Sequence, residues 1–101
     1  MVYFVVQNNN QVKIGFSNNI KQRIKTISTS SPFPIILLGY QEGTKADEKK
    51  LHFRFRQYHM QREWFQLSEE ILDYINQNTI TDTYCDFDDS GILRVYKKMK
   101  I

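Results

Sequence analysis

The sequence predicts an α+β domain: a small three-stranded sheet flanked by helices, with an extra C-terminal β-hairpin. Three observations predict it. Residues 2–6, 12–16 and 35–40 are strand-length runs rich in β-branched, aromatic and aliphatic side chains. Between and after them, Ile20, Ile24 and Ile27, then Leu51 and Phe55, then Ile71, Leu72 and Ile75 recur at helical spacing. Near the end, Asp88-Asp89-Ser90-Gly91 stands between two further strand-like runs, 83–87 and 92–99, as a hairpin turn.

The first two runs are separated by Gln7-Asn8-Asn9-Asn10-Gln11. Asparagine tolerates left-handed backbone, so this stretch reads as a turn and the runs as an antiparallel hairpin. With the five polar residues as the loop, Val6 faces Val12, Phe4 faces Ile14 and Val2 faces Phe16, which gathers six apolar side chains on one side. The other side carries Tyr3, Val5, Lys13 and Gly15. Tyr3 then sits opposite a residue without a side chain and diagonal to Lys13 at about 7–8 Å. A phenol with open space beside it and a cation within reach suggests a site.

Ser17 is the expected N-cap of the first helix. Its apolar stripe places Arg23 about 60° off centre, at the rim, with Lys21, Gln22 and Lys25 outward. Pro32 and Pro34 bracket a Ser/Thr-rich loop, after which the apolar run 35–40 fits a strand buried on both faces, the inner strand of the sheet. A second helix is expected over 45–58. There Glu48, Leu51, His52 and Phe55 share one stripe, and a carboxylate on a buried face needs a partner, either a cation or His52 one turn on. Lys49, Lys50, Arg54, Arg56 and Arg62, with Phe53 and Tyr58 among them, form a basic-aromatic patch of the kind that follows a nucleic-acid backbone. Trp64 and Phe65 read as core anchors in an extended segment, and Ser68 with Glu69 and Glu70 opens a third helix.

Composition bounds the function. The chain of 101 residues has net charge +3, yet residues 1–62 hold ten Lys/Arg against three Asp/Glu while residues 63–101 hold four against eight. The half with the suspected site is therefore +7 and the other −4, which suits a polyanionic partner on one face. Cys85 is the only cysteine, so no internal disulfide forms, and an intracellular location is expected: cytoplasm, or nucleus or viral factory. No leader is expected before the first strand, and no apolar run approaches the ~20 residues of a membrane helix. His52, His59 and Cys85 are too few and scattered for a closed zinc site, and Asp86, Asp88 and Asp89 lack the loop of a calcium site.

Met1-Val2-Tyr3, Lys13-Ile14-Gly15, Arg23 eight residues on, Glu48 with Leu51-His52, and Glu63-Trp64-Phe65 form an ordered set. It resembles the GIY-YIG nuclease superfamily, specifically the small branch found in phages and large DNA viruses, often beside BRO-type domains. The resemblance covers roughly residues 1–75, with lysine at Lys13 where the second tyrosine stands. It implies a GIY-YIG-like nuclease domain over 1–78; the hairpin of 79–101 lies outside the resemblance and is read as an extension of the same domain, either adding to the sheet or pairing with another subunit. It also implies a DNA endonuclease using Mg²⁺ or Mn²⁺ held by Glu48, a tyrosine (Tyr3) near the nucleophile and an arginine (Arg23) on the phosphate.

Tyrosine, with a reference pKa of ~10, needs nearby positive charge to act as a base at neutral pH. Lys13 is expected to lower the pKa of Tyr3, with His52 orienting Glu48 or carrying a proton. Gly15, Lys21, Lys49, Arg54 and Arg56 are assigned to substrate contact. Neither Asn76 nor Asn78 is equated with the family's catalytic asparagine. A DNA-binding module without the reaction is the alternative, and a second copy or a targeting protein remains open as a partner.

Overall fold

In the computed structural model, which describes residues 1–8 and 10–98, the first strand β1 (Val2–Gln7) is buried from Val2 to Val6 on both its faces. A strand with no polar side can only lie inside a sheet covered by helices on both sides. It is flanked by β2 (Gln11–Phe16) and β3 (Ile35–Gln41), both antiparallel to it. The short strands β4 (His59–Gln61) and β5 (Trp64–Gln66) extend the sheet beyond β2, giving the order β3-β1-β2-β5-β4. The sheet thus has five strands, and the expected three are its larger part.

The β1–β2 register is the expected one, with Tyr3 opposite Gly15, Phe4 opposite Ile14 and Val6 opposite Val12. Pairing continues to Gln7 and Gln11, so the connection is shorter than the five polar residues suggested. Asn8 takes φ 53°, the left-handed conformation expected of the asparagine run; Asn9 lies outside the described residues.

One assignment is corrected by this topology. β3, expected as the inner strand, is at the edge, and Ile36 is 43% exposed. Its apolar run resembles that of β1, but β1 takes the middle because its own side chains fill both cores. Beyond β3 the only partner among the described residues is a bridge from Tyr40 to Ile80.

The two faces hold separate cores. On one, Val2, Phe4, Val6, Val12 and Ile14 meet Leu51 and Phe55 of α2 (Lys45–Arg54) and Ile71, Leu72 and Ile75 of α3 (Glu69–Asn78). On the other, Tyr3 and Val5 meet Ile27, with Ile20 and Ile24, of α1 (Ile20–Ser30). Burying these stripes is what fixes the helices, since segments of 10 and 11 residues are marginal in isolation.

The caps differ in part from expectation. Asn19, not Ser17, caps α1: its side chain accepts from Gln22 N at 3.1 Å, while the Ser17 hydroxyl accepts from Asn19 N at 3.0 Å. Thr44 and Asp47 form a capping box on α2, and Ser68 caps α3 as read. Helix α2 stops at Arg54 rather than Tyr58, followed by a 3₁₀ turn over Arg56–Tyr58. Tyr58 packs against the core, whereas Phe53 is 67% exposed with Arg56 stacked on it at 4.1 Å.

The C-terminal strands β6 (Thr83–Phe87) and β7 (Leu93–Lys97) pair with each other and add Cys85 and Leu93 to the core on the α3 side. Residue 99, the expected end of this hairpin, lies outside the described residues. Asn76 ties α3 to β6: its Nδ2 donates to Cys85 O at 2.8 Å and its Oδ1 accepts from Cys85 N at 3.2 Å. This is a structural use of the residue.

Replacing Asn76 by Ala leaves a backbone N–H and C=O of β6 without partners, at a cost of about 1–3 kcal/mol. A urea melt should show that loss. An unchanged midpoint would mean the hairpin is not held through this amide.

Candidate active site

Four segments bring polar groups to one end of the sheet. β1 supplies Tyr3, β2 supplies Lys13 and Gly15, α1 supplies Arg23, and α2 supplies Glu48 and His52. The turn between β4 and β5 adds Glu63, whose carbonyl accepts from Ile14 N at 3.0 Å. Glu63 was given no role from sequence, although it opens the Glu63-Trp64-Phe65 motif. Arg62 just before it takes φ 54°, a conformation that costs a non-glycine residue about 1–2 kcal/mol. The strained turn is pinned by His59, whose Nε2 donates to Arg62 O at 2.7 Å.

The space beside Tyr3 is not open. The phenol itself lies over Gly15, and a Cβ at position 15 would collide with Tyr3 Cζ and Oη. Glycine is therefore the seat of the tyrosine rather than a gap next to it. Tyr3 is fully buried, and its hydroxyl is the one buried side-chain polar atom without a hydrogen-bond partner among the described residues.

Burial raises the pKa of the phenol. Arg23, beside it, works in the opposite direction without a hydrogen bond of ordinary geometry, and Glu63 and Glu48 add to the rise. The expectation that Lys13 lowers this pKa is thus corrected on both counts. The shift is upward, and the ammonium of Lys13 is turned to Glu63 at 3.4 Å and over the Trp64 ring at 5.7 Å. The cation facing the phenol is Arg23, exposed and in no ion pair among the described residues.

Glu48 is 4% exposed, and its pKa is raised first by burial and then by the neighbouring Glu63 carboxylate; His52 and Lys45 oppose the shift. His52 Nε2 lies 2.7 Å from Ile14 O and 3.5 Å from Glu48 Oε1. A carbonyl only accepts, so Nε2 carries a proton and donates it to Ile14 O, with the Glu48 carboxylate standing beside the same nitrogen. The ring is held further by an edge contact with Phe65, centroids 5.0 Å apart. The His52 ring is thus fixed beside the Glu48 carboxylate.

Of the residues assigned to substrate contact, Gly15 is internal, while Lys21 and Lys49 are exposed on α1 and α2. Arg54 is turned away, over Phe55 at 5.4 Å and Tyr74 at 5.0 Å, and Arg56 donates to Phe53 O at 2.9 Å. Trp64, expected in the core with Phe65, is only half-buried, beside Lys13 at the rim of the α1 side.

Hard oxygen donors dominate the cluster. Glu48 and Glu63 are adjacent carboxylates, and among the described residues no group of three His, Cys, Asp or Glu is assembled for a metal. That donor set fits a divalent cation taking one or two carboxylates and completing its shell with water and phosphate oxygens, as Mg²⁺ does. No helix among the described residues is long and apolar enough to cross a membrane.

The sequence model of the family described as the T5orf172 domain matches residues 1–79, which contain every residue of this cluster; the family is nuclease-related. No curated protein and no solved structure matches the chain.

Both buried groups cost stability. Tyr3→Phe removes an unsatisfied hydroxyl and should stabilise the fold by about 1 kcal/mol. Glu48→Gln should do likewise at neutral pH, by about 0.5–2 kcal/mol. Because the folded-state pKa of Glu48 is raised, wild-type stability is fullest below the ordinary carboxylate range, ~4.3, and falls as pH rises through the raised value. The advantage of Gln should therefore shrink on acidification, as read from thermal melts between pH 4 and 8. Destabilisation by both substitutions at pH 7 would contradict this.

Proposed function

We propose that this chain, which belongs to the T5orf172 domain family, is a metal-dependent endonuclease that hydrolyses DNA phosphodiester bonds at the Tyr3, Arg23 and Glu48 cluster. The observation that carries the reading is a pair of groups that folding alone disfavours. One is a buried phenol without a partner; the other is a buried carboxylate beside a second carboxylate. A cation on Glu48 and a phosphate on Arg23 would satisfy both. The ordered motifs from Tyr3 to Phe65 support the finer placement among GIY-YIG nucleases of the phage and large-DNA-virus branch, and a DNA substrate implies action inside a cell or virus factory.

In this mechanism Arg23 binds a non-bridging phosphoryl oxygen, the use to which an unpaired guanidinium is best suited. Its side chain moves onto the phosphate and uncovers the phenol. Tyr3, in its minor phenolate form, takes a proton from the attacking water as the O–P bond forms. The P–O3′ bond breaks, and the departing oxygen takes a proton from solvent. Glu48, with Glu63 close by, would hold the Mg²⁺ or Mn²⁺, which when bound would supply positive charge at the phosphoryl and leaving oxygens. His52 positions Glu48, and Lys13 positions Glu63 through their ion pair.

Lys13 gives the second reading its footing. It stands where the resemblance has a tyrosine and is tied to Glu63, which favours a DNA-binding module without the reaction. Salt-sensitive binding of DNA with no nicking in either metal would choose that reading.

Nicking assays test the first. Tyr3→Phe and Glu48→Gln should each lower kcat roughly 10²–10⁴-fold. Because the pKa of Tyr3 is raised, wild-type kcat/KM should climb about tenfold per pH unit between pH 7 and 9 without a plateau. A plateau within that range would remove Tyr3 as the base. Full activity in both variants would overturn the proposal.

A further inference from the structure

From the surface beside this cluster we infer that Trp64 is a stacking platform for an unpaired nucleobase flanking the scissile phosphate, so that the substrate is single-stranded or locally unpaired DNA. The inference rests on the endonuclease reading and names the substrate class of the same site.

Trp64 pairs with Lys13 across β5 and β2, so its side chain lies on the face that carries Tyr3 and Gly15. Gly15 is its diagonal neighbour, at about 7–8 Å between backbones. Trp64 is thus one diagonal step from the glycine on which the phenol lies, a span of a few nucleotides at most, DNA rising about 3.4 Å per nucleotide when stacked and more when extended. Two cavities adjoin it, both toward the Gln7–Gln11 end of β1 and β2, so a strand bound there would run along the sheet from the Tyr3–Gly15 end. One, of about 240 Å³, is shared by Trp64 with Lys13 and Ile27; the other, of about 420 Å³, with Gln11 and Met60; Gln7 lines both.

The lining suits a base and not a second protein core. Met60, 51% exposed, is a soft apolar surface beside the second cavity. The floor is a relay of two amides, Gln7 Nε2 donating to Gln11 Oε1 at 2.9 Å, with the Ser31 hydroxyl 3.0 Å from Gln7 Oε1 and 2.9 Å from Phe33 O. That relay leaves the Gln11 amide nitrogen as a donor for a base edge. Every base has a π-face, so an indole beside a phosphate site binds strands with little sequence preference. In intact duplex the π-faces are already stacked, and a half-buried indole cannot reach them. The Lys13 ammonium lies 5.7 Å from the ring centre while paired with Glu63, which fixes the edge of the platform.

Trp64 is the only tryptophan in the chain, so its fluorescence reports on this subsite alone. The experiment titrates the full chain in EDTA with a fluorescein-labelled oligothymidylate, with the same strand carrying an abasic position at each step along it, and with a blunt duplex. Anisotropy gives affinity, and unlabelled strands give indole quenching. Saturable quenching by the single strand is expected, with little by the abasic strand or the duplex. Trp64→Ala should bind the single strand about tenfold or more weakly, and Trp64→Phe within about threefold of wild type. Circular dichroism confirms that each variant is folded.

Binding without quenching, equal affinity for abasic strands, equal affinity of folded Trp64→Ala, or no single-strand binding would each overturn the inference. Should Trp64→Ala fail to fold, the abasic series with the wild-type chain decides. The outcome is separable from the endonuclease reading. Quenching that persists in Tyr3→Phe while nicking is unaffected would leave the platform and remove the catalytic assignment; Tyr3-dependent nicking of duplex without quenching would do the reverse.

Discussion

The seating of one phenol on one glycine governs the arrangement of this site. Tyr3 lies across Gly15 so closely that no other residue type fits at position 15 without displacing the ring. The contact requires the β1–β2 register to be held to the residue, because a one-residue slip would turn Tyr3 into the opposite core. It also leaves the hydroxyl buried and unpartnered. A chain selected for stability alone would place phenylalanine there. The same holds for Glu48, enclosed by α2 and β2 next to another carboxylate.

The rest of the fold meets this constraint. Leu51 and Phe55 anchor α2 on one core, which fixes the height of Glu48 and His52 relative to the Ile14 carbonyl. Ile20, Ile24 and Ile27 anchor α1 on the other core, leaving Arg23 free at its rim. The strained turn at Arg62 delivers Glu63 and, two residues on, Trp64. Two apolar cores on opposite faces thus hold polar groups from both faces around a single end of the sheet. The endonuclease reading follows from what such a cluster would need to be satisfied: a cation for the carboxylates and an anion for the guanidinium.

Much of this was legible in the sequence because it is set by local rules. The alternation of β2 and a polar loop fix the hairpin register, so the pairing of Tyr3 with Gly15 could be read directly. Helical periodicity places Ile27 and Leu51 inside and Glu48 on the buried stripe. The order of strands was not legible. An apolar run reads alike whether it is central or at an edge, and only the competition of β1 and β3 for two covered faces decides it. Ser17 and Asn19 are both good capping residues, and which one caps depends on where the chain leaves β2. The direction of the Tyr3 shift was missed for a similar reason. Lys13 is within reach of the phenol by strand geometry, but its long side chain has a better partner in Glu63, fifty residues away in sequence and delivered by a left-handed turn.

The most direct test is a crystal structure of Glu48-intact protein with Mn²⁺ and a short non-hydrolysable oligonucleotide. The account predicts one anomalous-scattering peak about 2.1 Å from a Glu48 carboxylate oxygen, with a phosphate bridging it to the Arg23 guanidinium and the Tyr3 hydroxyl in contact with that phosphate or its attacking water. A metal bound away from Glu48, or a phosphate held on a surface that excludes Tyr3 and Arg23, would contradict it.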